Sequence, residues 1–371
     1  MNKKVLSLLQ YLFFLGLGIF LVWWSVHKIP DKDWADIRNA FRNANYWVVI
    51  PVIIILLLSH YSRAIRWKIL MEPLGYKPRM SNTYLAVLIG YMSNLAVPRL
   101  GEVLKCTILA RYEKVPADKL VGTIVAERAF DVLCLAVVIA ITFFTQVDVI
   151  GGFIGEKLTA IADGKKGQFT GSRLIILGAV LLFLVAAAIV VFRRFSHISF
   201  IQKLKAVLKG VWHGITSIRY LKNKGWFIFH TIFIWSMYLL SVQIGFLAMR
   251  ETTGYGVKEA LSALTTGSIA MIVPTPGGSI GVYPMFVGET LSLYGLKEGL
   301  GIAFGWLMWG VQFFQMLLSG FVAMLLLPYI NKRKHLRRAD IIETKILSLP
   351  EAIKKVYQWR LLGKTIAFTN G

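Results

Sequence analysis

Two cysteines, Cys106 and Cys134, are too few for a disulfide framework or a thiolate metal site, and both stand in or beside apolar segments as packing residues. Acid is scarce as well. Against 42 Lys and Arg there are only 19 Asp and Glu, and charged residues make up 16% of the chain. The six histidines show no His-Glu-x-x-His spacing, so the sequence offers no metal site, and no cofactor is implied. A nucleotide-binding loop is missing too. Gly363-Lys364-Thr365 has the ending of a Walker A loop, but Gln358 stands where its first glycine is required.

What is abundant is apolar. Hydrophobic residues are 56% of the chain, the mean hydropathy is +0.61, and several runs approach the roughly 20 residues that cross a bilayer. These values describe an integral membrane protein. The formal charge of +23 does not indicate nucleic acid, because the cations fall in short connections and in the tail, as the positive-inside rule requires, and not on one folded face. Residues 5–26 follow Lys3 and Lys4, end in Trp23-Trp24 and lack a small-residue cleavage pattern. They read as a retained first span in the plasma (inner) membrane.

Further spans are expected at 46–62, closing on Arg63, Arg66 and Lys68, and at 120–146, 173–192, 226–248 and 300–329. Residues 193–224 carry eight Lys or Arg and no acid, with Ile198, Ile201, Leu204, Leu208, Val211, Ile215 and Ile218 recurring at three or four. That is the pattern of an amphipathic helix lying on an anionic cytoplasmic leaflet. The tail, 331–371, has ten Lys or Arg against three acids. With both termini cytoplasmic, residues 1–330 form the membrane domain and 331–371 a basic cytoplasmic tail.

Two apolar segments are interrupted: Asn94-Leu-Ala-Val-Pro98-Arg99-Leu-Gly101-Glu102 and Met271-Ile-Val-Pro274-Thr-Pro276-Gly277-Gly278-Ser279-Ile-Gly281. Lipid cannot satisfy the backbone groups such breaks free, so each must be buried in protein or line a wet cavity. The positive-inside count makes each broken segment enter and leave on one side, the first from the cytoplasm and the second from outside. Span, re-entrant segment, span then occurs at 46–146 and, upside down, at 226–329, which is inverted-repeat logic. The alternative is that each broken segment is two short full spans. The fold class is therefore an all-α polytopic membrane protein with about six full spans plus two re-entrant helical hairpins and an interfacial helix.

Charge inside these segments marks the candidate site. Arg99 and Glu102, three apart, can face each other if helix resumes after Pro98. Glu127 and Asp131, four apart beside Arg128, share a helix face and suit a proton or cation relay, or else an interfacial charge cluster. On physics alone Arg63 and Arg66 read better as a positive-inside anchor, with Trp67 as a belt residue. In the second break, Pro274, Pro276, Gly277 and Gly278 allow close approach of a ligand to backbone amides, with Ser279 beside them. Glu289 follows as a site acid or as polar packing. Gly277-Gly-Ser279-Ile-Gly281 also matches a nucleophile elbow, but Pro274-Thr-Pro276 stands where such an elbow needs a strand, and its only downstream histidine, His335, is in the basic tail.

Arg63 with Arg66-Trp67, Asn94-x-x-x-Pro98-Arg99-x-Gly101-Glu102, Glu127-Arg128-x-x-Asp131 and Pro276-Gly277-Gly278 with Gly281 together resemble the flippase-like membrane half of lysylphosphatidylglycerol synthases, in a stand-alone form. The resemblance covers about residues 5–330. It implies a polytopic bundle with two re-entrant segments that moves lipid headgroups between leaflets, and it does not imply the aminoacyl transfer of the family's large soluble domain. One departure is that Val282-Tyr283-Pro284 stands where the family often has an Arg-Glu pair, so the nearest acid is the displaced Glu289.

The reading that follows is a non-enzymatic lipid flippase for anionic or isoprenoid phosphate headgroups, passive or driven by an ion gradient. Arg99, Glu102, Glu127, Arg128 and Asp131 would handle the headgroup, and the Pro274–Ser279 loop would close the site. Membrane lipids are then the partners, nucleic acid is not, and homo-oligomerisation is left open. The alternatives are an intramembrane hydrolase or lipid-modifying enzyme using Ser279 with His230 or His60, and a membrane scaffold.

Overall fold

The computed structural model describes residues 33–146 and 221–347, together with Gly16, Ile19, Phe20, Trp23 and His27. The expected first span 5–26 (Gly16, Ile19, Phe20 and Trp23 apart), the span 173–192 and the interfacial helix 193–224 (its last four residues apart) lie outside the described residues, as do the connection 147–172 and residues 348–371. Every regular element among the described residues is helical: α1 (Asp33–Arg42), α2 (Val49–Met71), α3 (Met80–Ala96), α4 (Leu100–Glu113), α5 (Ala117–Thr145), α6 (Lys224–Gly245), α7 (Val257–Ala270), α8 (Val282–Ser292) and α9 (Glu298–Leu347), with short 3-10 turns between some of them. The chain divides into two units, Met1–Gly320 and Phe321–Gly371, with the division inside α9.

Burial in the first unit is inverted relative to a water-soluble protein. On α2, Ile50, Ile54, Leu58 and Tyr61 are exposed at helical spacing, whereas Ser59, His60, Ser62, Arg63 and Arg66 are buried. An apolar exterior over a polar interior suits a hydrocarbon solvent. Among the described residues three helical segments are long and apolar enough to cross a membrane: Tyr46–Leu74, Lys224–Ala248 and Glu298–Lys332. The 23 residues of α2 extend about 35 Å at 1.5 Å per residue, a little more than a hydrocarbon core. This helix runs nine residues past the boundary expected at residue 62, because nothing between Arg63 and Met71 breaks it. It stops only at the turn through Pro73 to Gly75, whose φ is 83°.

The two interrupted segments are helical hairpins with short arms, 17 and 14 residues for α3 and α4 and 14 and 11 for α7 and α8, against the roughly 20 residues typical of a span. In the first, the Asn94 side-chain oxygen accepts from the Gly101 amide at 2.7 Å, closing the Val97–Arg99 turn. The arms approach so closely that a Cβ on Gly101 would collide with the Gly90 carbonyl. The second hairpin turns through Gly277 and Gly278, with φ of 74° and 68°. Glycine reaches such values without the steric cost other residues meet. Its two carbonyls are satisfied by one donor, the Trp309 indole N–H, at 3.1 Å each. A Cβ on Gly278 would stand 3.0 Å from Leu95 Cδ2, so the two breaks are in contact.

Helix α2 packs on α6, and α5 packs on α2, α4 and α7. Contact with α7 runs through hydroxyl and amide groups: Thr142 Oγ1 lies 2.7 Å from Thr265 Oγ1, and Ser262 Oγ donates to Gln146 Oε1 at 2.6 Å. Apolar packing forms one core around Phe246, Leu291, Ile302 and Phe304 and another around Trp67, Met71, Leu109 and Leu120.

The second unit begins as the continuation of α9, with Phe321, Val322, Leu325 and Tyr329 exposed and Pro328 inside the helix. The helix carries on to Leu347, so the basic tail expected from residue 331 starts as helix. No Gly or Pro interrupts its Lys, Arg, Glu, Leu and Ile, which are adequate to good helix formers.

The Gly90–Gly101 approach gives a direct test. Gly101→Ala should overpack the hairpin and cost about 1–3 kcal/mol, lowering the thermal unfolding midpoint in detergent. A Cβ on Gly122 meets nothing within 4 Å, so Gly122→Ala should leave that midpoint unchanged or raise it.

Candidate functional site

Helical spacing assembles the site. Arg63 and Arg66, three apart on α2, share a face, as do Glu127 and Asp131, four apart on α5, and the two helices pack together. Arg63 Nη1 donates to Glu127 Oε1 at 2.7 Å and to Asp131 Oδ2 at 2.6 Å, while Nη2 donates to the Tyr238 hydroxyl at 3.2 Å. Arg66 Nη2 donates to Asp131 Oδ1 at 2.6 Å and lies 3.6 Å from Glu127 Oε1. Its Nη1 donates to Thr231 Oγ1 at 3.4 Å, and its guanidinium stands 5.8 Å from the centre of the Phe227 ring. Neither Arg66 nor Glu127 has any measurable exposure.

Helix α4 adds two more charges. Lys105 Nζ lies 3.6 Å from Glu127 Oε2 and 4.9 Å from the Trp67 ring centre. The Trp67 indole N–H is held by Thr123 Oγ1 at 2.8 Å. Glu102 Oε1 accepts from Arg128 Nη2 at 2.6 Å, and Arg128 Nη1 is 3.7 Å from Asp131 Oδ2, closing the network at its more exposed rim. Four cations (Arg63, Arg66, Lys105, Arg128) thus meet three carboxylates (Glu102, Glu127, Asp131), a formal excess of one positive charge.

Burial of so many charges costs several kcal/mol per ion in desolvation, which mutual attraction repays only with good geometry and full hydrogen bonding. Hydrogen bonding here is incomplete. Arg63 Nε, Arg66 Nε, Glu102 Oε2 and Glu127 Oε2 are buried without a hydrogen-bond partner. Two guanidinium edges and an ammonium around spare donors form an arrangement that can take an anionic, oxygen-rich group by bidentate hydrogen bonds.

Of the residues singled out in sequence, Arg63, Arg66, Glu102, Glu127, Arg128 and Asp131 come together here. The reading of Arg63 and Arg66 as interfacial anchors, with Trp67 in an aromatic belt, is corrected: all three are buried, because α2 continues past them and α5 covers that face with acid. The expected Arg99–Glu102 pair does not form. Arg99 takes a left-handed conformation (φ 69°) at the turn, is exposed and makes no ion pair with a described residue, and Arg128 has Glu102 instead. Asn94 and Pro98 shape that turn. Pro274, Pro276, Gly277, Gly278 and Ser279 form the second turn, packed on α3. Glu289, half-buried, lies on α8 two turns beyond Gly281.

Sequence reasoning overlooked Lys105, Thr231 and Tyr238. Lys105 carried a signal, being a lysine three residues after Glu102 among Val103, Leu104, Cys106 and Ile108. Tyr238 and Thr231 carried none, since a hydroxyl in an apolar span is commonplace.

Among the described residues Ser279 has no histidine partner. Ser279 Oγ donates to the Val273 carbonyl at 3.3 Å, whereas His60 faces Gln315 and His230 faces Ser62. Among the described residues no cluster of His, Cys, Asp and Glu could hold a metal ion.

Lipid-facing helices around a buried ion network define a polytopic α-helical membrane protein. The chain belongs to the family of the lysylphosphatidylglycerol synthase TM region, whose model matches residues 8–320. It is similar to a UPF0104 membrane protein of Methanocaldococcus jannaschii, 24% identical over 350 residues that cover 90% of this chain and 97% of that relative. No solved structure matches.

Removing one member of the buried network should leave its partners uncompensated. Arg66→Met is expected to cost about 3–5 kcal/mol, and Arg128→Met, at the exposed rim, about 0–1 kcal/mol, measured by thermal or denaturant unfolding in micelles. Adding Asp131→Leu to Arg66→Met should recover part of the loss.

Proposed function

We propose that this protein is a lipid flippase that moves a phosphate-bearing headgroup, of a phospholipid or a polyprenyl phosphate, between the two leaflets. The observation that carries the reading is the buried network with its excess positive charge and four buried polar atoms that make no hydrogen bond, set beneath an apolar exterior. Family membership supports it by tying the chain to lipid-modifying membrane proteins.

The physical task is to carry a charged headgroup through a layer in which a single charged side chain costs about 2.5–3.5 kcal/mol on insertion scales. A polar interior open along its side to lipid lowers that cost, because the headgroup enters the protein while the acyl tails stay in hydrocarbon. Phosphate oxygens compete with Glu127 and Asp131 for the guanidinium edges of Arg63 and Arg66. Exchange between carboxylate and phosphate keeps the cations paired at each stage, which makes binding reversible, as transport demands.

Two short-armed hairpins form the remainder of the path. In this reading the α3–α4 hairpin enters from the cytoplasm and the α7–α8 hairpin from outside, as inverted halves of a repeat spanning 46–146 and 226–329, with both termini cytoplasmic. Contact between Gly278 and Leu95 supports a meeting of the two tips inside the bilayer.

The test is leaflet exchange of fluorescent lipids in proteoliposomes. Wild type should exchange an anionic or isoprenoid phosphate lipid faster than empty vesicles, and Ser279→Ala should leave the rate within about twofold, since a hydrolase alone needs that hydroxyl. Arg63→Gln should slow exchange about tenfold or more, the loss of one charge-assisted hydrogen-bonding group. No exchange above empty vesicles across anionic, aminoacylated and isoprenoid lipids would overturn the proposal.

A further inference from the structure

The charged network is not the only polar feature inside the first unit. Along α9, Trp309, Gln312, Gln315 and Ser319 recur at three or four residues and share one face. Trp309 reaches the second break through Gly277 and Gly278. Gln315 reaches α2, where its Oε1 lies 3.2 Å from His60 Nε2. Both Gln315 and His60 are buried, at 3% and 2% exposure. His60 sits three residues before Arg63 on the same face of α2, and its ring lies 4.4 Å, centre to centre, from that of Tyr91 on α3. One face of α9 therefore joins the second break to the charged network, with His60 at the junction.

Hydrogen-bond directions define what His60 offers. Gln315 Nε2 donates to Ser319 Oγ at 3.2 Å, which turns Oε1 toward the imidazole and makes His60 Nε2 the donor. In the neutral ring the other nitrogen, Nδ1, is then an acceptor, and it is buried without a partner. A ring needed only to fill space would be phenylalanine, which carries no unmatched acceptor.

We propose that His60 is a headgroup-specificity residue whose Nδ1 accepts a hydrogen bond from a hydroxyl or amino group of the lipid whose phosphate is held by Arg63 and Arg66. The proposal rests on the flippase reading and narrows its substrate class to phosphodiester lipids that carry a donor a few bonds from the phosphate. Residues three apart on a helix stand about 5–6 Å apart at Cβ, the reach of a two- or three-carbon headgroup from its phosphate. Nδ1 then rejects a headgroup without such a donor, because its own desolvation goes uncompensated.

The test compares two anionic phosphodiester lipids that differ in hydroxyl groups, acyl-labelled phosphatidylglycerol and acyl-labelled phosphatidylmethanol, in proteoliposomes of the full chain. Wild type should move phosphatidylglycerol roughly tenfold faster, the worth of about one well-placed hydrogen bond. His60→Leu should slow phosphatidylglycerol to the phosphatidylmethanol rate and leave phosphatidylmethanol unchanged. His60→Asn, whose side-chain oxygen can stand near the Nδ1 position, should keep part of the preference. Equal wild-type rates for the two lipids would overturn the specificity claim while leaving the flippase reading standing. So would a His60→Leu variant that keeps the preference, or one that slows both lipids alike with a lowered unfolding midpoint. Wild type moving neither lipid nor any other phosphate lipid would remove the flippase reading itself.

Discussion

Seven ionisable side chains held beneath a hydrocarbon-facing surface set the terms for the rest of this structure. Each ion taken out of water carries a desolvation cost of several kcal/mol, and lipid offers no compensating hydrogen bonds. The charges must therefore meet one another inside the bundle. Arg63 and Arg66 from α2, Lys105 and Glu102 from α4, and Glu127, Arg128 and Asp131 from α5 do so within one network. Its hydrogen bonding is incomplete, with guanidinium and carboxylate atoms left over, and the proposed exchange of an anion rests on that feature.

Helix α5 is the element that relates this network to the other hairpin. Its first half carries Glu127 and Asp131 toward α2, and its far end presents Thr142, with Gln146 just after the helix, to α7. Close backbone approach does the corresponding work for the hairpins. Gly90 against Gly101 brings α3 and α4 together, and Gly288 against Gly301 brings α8 to α9. Small residues at such crossings are the usual means of packing helices in lipid, where no hydrophobic force draws them together. The tips then meet at Leu95 and Gly278, and the indole of Trp309 satisfies the carbonyls that the glycine turn frees.

Much of this was legible in the sequence because membrane proteins write their constraints coarsely. Long apolar runs located α2, α6 and α9. The prolines and glycines at 94–101 and 271–281 located both hairpin turns, since lipid tolerates such breaks only in protein-lined places. The four-residue spacing of Glu127 and Asp131 placed them on one face. Side-chain partners were less legible. Arg63 and Arg66 follow a span of apolar residues, where a charge reads more readily as an interfacial anchor than as an interior partner. Only the packing of α5 against α2 decides it. The pairing of Glu102 depended on Arg99 leaving the helix through a left-handed turn, a backbone event that Pro98 hints at but does not specify. His60 and Gln315 lie 255 residues apart, a separation at which local pattern carries no information.

The account turns on whether the buried network holds a lipid phosphate. Native mass spectrometry of the protein released from membrane with mild detergent measures this directly, with wild type compared against Lys105→Gln, the cation least committed to a carboxylate. A phosphate-bearing lipid retained by wild type and depleted in the variant, with both proteins folded, is the outcome the account requires. Equal lipid retention by the two proteins, or none by either, would contradict it.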